Sequence, residues 1–248
     1  MNIKSIIPIT VTSLNLACGT VGVVATFFGR IDVAFLIGLA GAICDFFDGF
    51  SARALGTDSI MRNELDSLAD IITFGLLPSL MLFETMADAY GAEAIFVWTP
   101  LLIPVFSGLH LAKYNIDNQP GKCFLGPPTP VSAAVCGSIA CYMDACPGTL
   151  FTEILLTPWV IPSVSVILCA LLVCKVPFFT IKFRKGEGMS RDMVLRIIFA
   201  VFSGVGLIVM LACRWFWALA ILLAAIVYIS VNLVAAICDS AKKKVSIR

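Results

Sequence analysis

The sequence is poor in charge. Only 13% of its 248 residues are charged, against about 25% in a typical soluble domain. It contains one histidine and no C-x-x-C pair, and its ten cysteines are scattered singly, so zinc sites and disulfide frameworks are not expected. The net charge is +1 and no basic domain stands apart. Nucleic acid is therefore not an expected partner.

Long apolar runs replace the missing charge. The chain is 60% hydrophobic, and its runs approach the ~20 residues that a helix needs to cross a bilayer. Lipid offers no hydrogen-bond partners, so the backbone N–H and C=O groups must bond to one another within helices. We therefore predict an all-α integral membrane protein with about eight transmembrane helices, at residues 6–28, 32–50, 65–86, 94–115, 129–144, 153–174, 193–213 and 215–238.

The basic residues predict the orientation. If the N-terminus is cytoplasmic, every lysine and arginine except Arg30 and Arg214 falls in or beside a cytoplasmic segment. This is the positive-inside pattern, and it predicts that both termini are cytoplasmic. The short span 129–144 is retained because its removal would place the basic loop 175–191 outside.

Four aspartates form the most informative pattern. Asp45 and Asp48 are three residues apart, and Asp66 and Asp70 are four apart. Both spacings put a pair on one face of a helix. The pairs flank a short polar loop between the second and third spans. We expect this hairpin to bring all four carboxylates together at the cytoplasmic side.

Four clustered carboxylates need a compensating cation. Oxygen ligands without histidine or cysteine favour a hard divalent ion such as Mg²⁺, Mn²⁺ or Ca²⁺, and shared carboxylates suit two such ions. The small residues Gly49 and Ala52 allow close approach of a ligand, and the guanidinium of Arg53 suits phosphate. The segment therefore predicts a metal-assisted diphosphate site.

The segment 44–70 resembles the signature of the CDP-alcohol phosphatidyltransferases, D-x-x-D-G-x-x-A-R-x8-G-x3-D-x3-D. One position departs, because Arg62 stands where the family has its second glycine. We expect this departure not to affect a metal ligand, and we expect Arg62→Gly to be tolerated. The positions that match are Asp45, Asp48, Gly49, Ala52, Arg53, Asp66 and Asp70.

The resemblance implies a fold and a location. The family fold is a six-helix membrane bundle, usually a homodimer, with a polar cavity at the cytoplasmic leaflet. We assign residues 1–185 to this core and 186–248 to an extra C-terminal hairpin with a basic tail. The bacterial inner membrane is the expected location.

The resemblance also implies roles for the matching residues. Asp45, Asp48 and Asp66 would bind metal, with two Mg²⁺ or Mn²⁺ ions expected in all. Asp70 would share the second ion and serve as the catalytic base. The CDP group would lie against Gly49, Ala52 and Arg53.

Two further stretches are similar to the serine-using branch of this family in bacteria. One is TVTSLNLACG in the first span, where Asn15 would face the nucleotide or else form an interhelical hydrogen bond. The other is FSGLHLAKYN with FLGPPTPVSA, in which His110 replaces the usual arginine and is expected to have no chemical role. The carboxylate of serine would be held by Lys113, by Arg53 or by backbone amides near Gly126.

The implied substrates are CDP-diacylglycerol and L-serine, in contact with membrane lipid. Two alternatives stay open at this stage. A sister enzyme would use glycerol 3-phosphate or inositol, although a phosphorylated acceptor would need more basic residues near the site. A cation transporter would also use intramembrane carboxylates, but it would more often place them at the bilayer midplane on broken helices.

Overall fold

The structure is a computed structural model that describes residues 3–56, 60–116, 124–178 and 216–245. These residues form an almost entirely helical bundle. Its α-helices are α1 (Ile3–Phe27), α2 (Ile31–Leu55), α3 (Ile60–Asp70), α4 (Leu77–Tyr90), α5 (Leu102–Ile116), α6 (Thr129–Ala145), α7 (Leu150–Leu155), α8 (Val160–Val173) and α9 (Ala218–Val245). A π-helical segment (Ile71–Leu76) joins α3 to α4, and a 3₁₀ segment (Ile95–Leu101) precedes α5.

Five of the described helical stretches are long and apolar enough to cross a membrane. They are Ile6–Phe27, Ile31–Ala52, Ile60–Tyr90, Ile95–Ile116 and Ala218–Ile237. Helix α8 is a shorter apolar helix of 14 residues. The predicted class, an all-α integral membrane protein, is therefore confirmed.

Helices α1 and α2 form a tight antiparallel hairpin that also packs against the π-helical segment. Small residues allow this approach, as is common where membrane helices meet. A Cβ added at Gly19 would lie 3.0 Å from the backbone of Thr73, and one at Gly41 would lie 3.1 Å from Asn15 Oδ1. The second half of α1 and the middle of α2 are thereby fixed against Thr73, in the segment that follows Asp70.

Helix α6 lies inside the bundle. It packs against α2, α4 and α9, and most of its side chains are buried. At Gly137 an added Cβ would lie 2.6 Å from the ring of Phe35 on α2. The predicted fifth span, 129–144, is therefore a helix. Its sequence looks weakly apolar because many of its buried residues are small.

The prediction that the sixth span, 153–174, is one continuous helix is wrong. The structure breaks it into α7 and α8, with a turn at 156–159. Pro158 explains the break, because proline disfavours a helical conformation at the residue before it and has no N–H to donate. The segment after α8 forms a two-residue antiparallel pairing, β1 (Phe124–Leu125) with β2 (Pro177–Phe178).

The structure describes only part of the C-terminal region for which predictions were made. The predicted seventh span, 193–213, and the proposed boundary between residues 185 and 186 lie outside the described residues. The eighth predicted span is helical and extends further than expected, to Val245. Its helix α9 packs against α6 and contacts β2.

Candidate active site

Three of the four aspartates meet where the last turns of α2 face α3. One carboxylate oxygen from each of Asp45, Asp48 and Asp66 lies within 4.8 Å of the other two. Asp48 is 1% exposed, whereas the other two are half-buried. The helical spacing of three residues puts Asp45 and Asp48 on one face of α2, and α1 holds α2 and α3 together.

The chemistry of this cluster fits a divalent cation. The ligand set is oxygen only, which hard cations prefer. The Oδ1 atom of Asp66 is buried and has no hydrogen-bond partner among the described residues. A buried polar atom without a partner is costly, and a bound cation would satisfy it. Three like charges at this distance also repel one another unless a cation lies between them.

Both oxygens of Asp48 contact protein donors. The Thr12 hydroxyl of α1 donates a hydrogen bond to Oδ2, and it also lies 3.0 Å from the carbonyl oxygen of Pro8. The Arg62 Nη2 atom of α3 lies 3.0 Å from Oδ1. Asp48 therefore links three helices, and its carboxylate orientation is fixed from two sides.

The expectation that Arg62 leaves the metal ligands unaffected is wrong. Its side chain is only 7% exposed, and it forms a buried ion pair with Asp48. The position was interpreted as part of a polar loop, but it lies in the first turn of α3, which begins at Ile60. That turn faces α1 and α2, so the long guanidinium side chain enters the carboxylate centre instead of solvent.

Asp70 lies one helical turn beyond Asp66, outside the three-carboxylate cluster. Asn15 of α1 donates from Nδ2 to its Oδ1 at 3.4 Å. Thr73, in the π-helical segment, donates to the backbone carbonyl of Asn15 at 3.0 Å. π-helical turns inside α-helices are frequent at functional sites, and here the turn begins at the residue after Asp70. Helix α1 thus holds the Asp70 carboxylate in place through Asn15.

The hydrogen bond from Asn15 to Asp70 joins two helices, which is the second of the two roles that the sequence predicted for Asn15. Its side chain is fully buried, and its Oδ1 faces Gly41 of α2 and has no hydrogen-bond partner among the described residues. A direct contact of Asn15 with the nucleotide stays a prediction. The observed geometry gives Asn15 a clear role in orienting Asp70.

The other predicted substrate-binding residues surround the same end of the bundle. Gly49 is half-buried beside Asp48, and Ala52 is 2% exposed one turn further along α2. Lys113 is half-buried in the last turn of α5. The side chain of Arg53 lies outside the described part of the structure, so its predicted contact with phosphate stays a prediction.

Helix α5 is held to the site from one end. Asn115 donates from Nδ2 to the Ser67 hydroxyl at 2.9 Å, which ties α5 to the residue after Asp66. His110 is 6% exposed and donates from Nδ1 to the carbonyl oxygen of Leu172, 2.7 Å away, at the end of α8. His110 therefore supports the packing of α5 on α8, and the absence of a chemical role for it stays a prediction.

Gly126 is structural. Its amide donates to the Val176 carbonyl at 2.8 Å, so this amide is not available for the carboxylate of serine. Its φ of +90° suits only glycine, and an added Cβ would lie 2.8 Å from the carbonyl oxygen of Leu171. Lys113, Arg53 and the other backbone amides near Gly126 remain as predicted partners of that carboxylate.

Sequence reasoning missed Thr12 as a supporting residue. A usable signal existed, because Thr12 lies three residues before Asn15 and therefore on the same face of α1. The side chain is fully buried, in one of the helical stretches that are apolar enough to cross a membrane. A buried polar residue in a membrane helix indicates a polar partner on a neighbouring helix, and that partner is Asp48.

Comparison with known proteins shows the family of this chain. The family model described as CDP-alcohol phosphatidyltransferase matches residues 5–173, which include α1 to α8 and all four aspartates. Because that match covers more than half of the chain, it decides the family.

Curated relatives carry related names. The CDP-diacylglycerol–serine O-phosphatidyltransferase of Bacillus subtilis is 35% identical over 124 residues, which are 50% of this chain and 69% of the relative. The enzyme of that name from Mycobacterium leprae is 33% identical over 163 residues, 62% of this chain and 53% of the relative. The archaetidylserine synthase of Methanothermobacter thermautotrophicus is 28% identical over 134 residues, 53% of this chain and 56% of the relative. The chain thus spans only part of the length of these relatives, and the match over residues 5–173 shows that it belongs to the CDP-alcohol phosphatidyltransferase family.

Proposed function

We propose that the chain transfers the phosphatidyl group of CDP-diacylglycerol to L-serine and releases CMP, producing phosphatidylserine. One observation carries this proposal. In a chain of this family, Asp45, Asp48 and Asp66 converge within 4.8 Å at one end of the helix bundle, with Asp70 one turn away. That is the arrangement that diphosphate chemistry requires.

The choice of serine has separate support. The stretches around residues 107–115 and 124–133 resemble the serine-using branch, and two of the relatives above are named for serine as acceptor. Among the described residues near the site, the basic side chains are Arg62 and Lys113. Because Arg62 is paired with Asp48, the described residues offer little further positive charge for the phosphate of a phosphorylated acceptor.

The family depends on a divalent metal, and the carboxylate cluster is where this chain would hold it. We assign Asp45, Asp48 and Asp66 as ligands, with Asp70 shared, and we propose Mg²⁺ or Mn²⁺, as two ions. When bound, these ions neutralise the diphosphate and make CMP a better leaving group. Thr12 keeps the Asp48 carboxylate turned toward the cluster.

Asp70 is the proposed general base. The serine hydroxyl oxygen attacks the lipid-side phosphorus, the bond from that phosphorus to the CMP oxygen breaks, and the hydroxyl proton passes to Asp70. The hydrogen bond from Asn15 to Oδ1 fixes the plane of the carboxylate, so that its second oxygen can be presented to the acceptor. The backbone bond from Thr73 keeps Asn15 itself in place.

The remaining contacts are assigned by position. Gly49 and Ala52 give the CDP group room along α2, and Arg53 would contact its phosphates. The half-buried Lys113 lies on α5, which Asn115 ties to the residue after Asp66. Lys113 is therefore our preferred partner for the carboxylate of serine.

The proposed setting is the bacterial inner membrane. The five apolar helical stretches support the membrane location, and the distribution of lysine and arginine supports an active site and both termini on the cytoplasmic side. This orientation leaves the diacyl chains in lipid while serine and CMP exchange with the cytosol. We propose a homodimer by analogy with the family, with residues 1–185 as core and 186–248 as the added hairpin.

Release of CMP from radiolabelled CDP-diacylglycerol tests the proposal. The purified chain should release CMP only when L-serine and Mg²⁺ or Mn²⁺ are both present, and EDTA should stop the reaction. The variants Asp45→Asn, Asp48→Asn and Asp66→Asn should be nearly inactive, whereas Asp32→Asn, an exposed acid at the start of α2, should match the wild type. Turnover that persists in chelator would refute the metal assignment, and the absence of CMP release under all conditions would favour a transporter.

A further inference from the structure

A buried guanidinium lies inside the carboxylate centre. Arg62 is 7% exposed and Asp48 is 1% exposed, and their atoms Nη2 and Oδ1 are 3.0 Å apart. The corresponding position of the family signature is a glycine, which has no side chain to place there. This chain therefore carries a positive charge of its own at a centre whose other charged groups, among the described residues, are the carboxylates of Asp45, Asp48 and Asp66.

The ion pair stabilises the centre without any bound ion. A carboxylate taken out of water is costly unless it is paired and hydrogen-bonded. Asp48 meets both conditions, since Arg62 supplies the charge and Thr12 supplies a hydrogen bond. Removing one partner of a buried pair strands the other charge and is strongly destabilising.

The same pair opposes the binding of a divalent ion. The Asp48 carboxylate also belongs to the cluster with Asp45 and Asp66, whose oxygens lie within 4.8 Å of one another. A cation bound there would lie within a few Å of the guanidinium, at a distance where like charges repel appreciably in a partly buried setting. Each ion must therefore displace or tolerate Arg62.

We propose that Arg62 is a built-in counter-ion of the carboxylate centre, which keeps the centre folded without metal and lowers its affinity for divalent cations. The proposal rests on the metal centre of the proposed function. It makes Arg62 a positioning residue that acts through Asp48. The chain then needs a higher concentration of free metal than a form with glycine at this position.

Direct metal binding tests the affinity. Free Mn²⁺ is measured by electron paramagnetic resonance in the presence of the full-length chain in detergent micelles. Arg62→Gly and Arg62→Gln should bind Mn²⁺ about tenfold more tightly than the wild type, or better, and Arg62→Lys should stay close to the wild type. Arg30→Gln removes an exposed arginine that is paired with Asp32 at 3.5 Å, and it should change nothing. Asp66→Asn removes a proposed metal ligand, so the Mn²⁺ that this variant still binds measures background binding outside the carboxylate centre.

Thermal unfolding supplies a second measurement that does not depend on activity. In EDTA, Arg62→Gly and Arg62→Gln should unfold about 5 °C or more below the wild type. Added Mn²⁺ should raise their midpoints by more than it raises that of the wild type.

The failures of the two proposals can be told apart. Equal or weaker Mn²⁺ binding by both Arg62 variants, or unchanged midpoints in EDTA, overturns the counter-ion proposal and leaves the metal centre standing. If neither the wild type nor the variants bind more Mn²⁺ than Asp66→Asn does, the metal centre and the counter-ion proposal both fail.

Discussion

The hydrogen bond between Thr12 and Asp48 gives the most specific prediction for the active site. Thr12 is fully buried in α1, and its hydroxyl donates a hydrogen bond to the Asp48 carboxylate. Replacing Thr12 with valine keeps the shape of the side chain and removes the hydroxyl. The Asp48 carboxylate then loses a donor and part of its orientation.

The magnitude follows from the type of bond. A hydrogen bond to a charged group contributes about 1.5–3 kcal/mol, which corresponds to about 10- to 150-fold in a rate or affinity. Removing a residue that supports a metal ligand typically lowers metal affinity or activity by about 10- to 100-fold. We therefore expect Thr12→Val to lower kcat/KM at limiting Mg²⁺ by about 10- to 100-fold, and Thr12→Ser to keep most of it.

Helix α1 provides a matched control. Thr26 is 1% exposed, and its hydroxyl lies 3.0 Å from the Gly22 carbonyl oxygen, just as the Thr12 hydroxyl lies 3.0 Å from the Pro8 carbonyl oxygen. Thr26→Val therefore removes the same kind of backbone contact far from the carboxylates. CMP release should fall in Thr12→Val alone. Equal losses in the two variants, or no loss in either, would refute the role assigned to Thr12.

Three further predictions concern the base, a glycine and the orientation. Asp70→Asn should lower kcat by about 10²- to 10⁴-fold, with Mn²⁺ still bound by the other three carboxylates, and unchanged turnover would exclude Asp70 as the base. Gly126→Ala should lower the thermal midpoint by more than Gly148→Ala does. Both glycines have positive φ, but a Cβ at Gly126 would lie 2.8 Å from the carbonyl oxygen of Leu171, whereas one at Gly148 meets no described atom within 4 Å; equal midpoints would contradict this packing. A C-terminal tag should resist protease added outside intact cells, and its cleavage would mean an odd number of spans.

The sequence was sufficient to predict the family and the carboxylate pairs. Each pair depends only on the period of a helix, and the connection between the end of α2 and the start of α3 is too short to keep the two helices apart. The family assignment is confirmed by the match over residues 5–173. The serine interpretation agrees with the names of the relatives.

Other features depend on packing between distant parts of the chain. Arg62 was misplaced because the sequence does not show that α3 begins at Ile60 and turns its first residues toward α1. The contact from Thr12 to Asp48 joins residues 36 positions apart, and that from Asn15 to Asp70 joins residues 55 apart. The break at Pro158, in contrast, has a local cause that hydropathy alone did not reveal.

An acceptor panel tests the central claim most directly. The purified chain is given CDP-diacylglycerol and Mg²⁺ with L-serine, glycerol 3-phosphate, inositol or water, and each lipid product is identified by mass. We expect phosphatidylserine as the dominant product, formed in step with CMP and abolished in Asp66→Asn. Phosphatidylglycerophosphate or phosphatidylinositol as the dominant product would contradict the serine assignment while leaving the carboxylate centre in place.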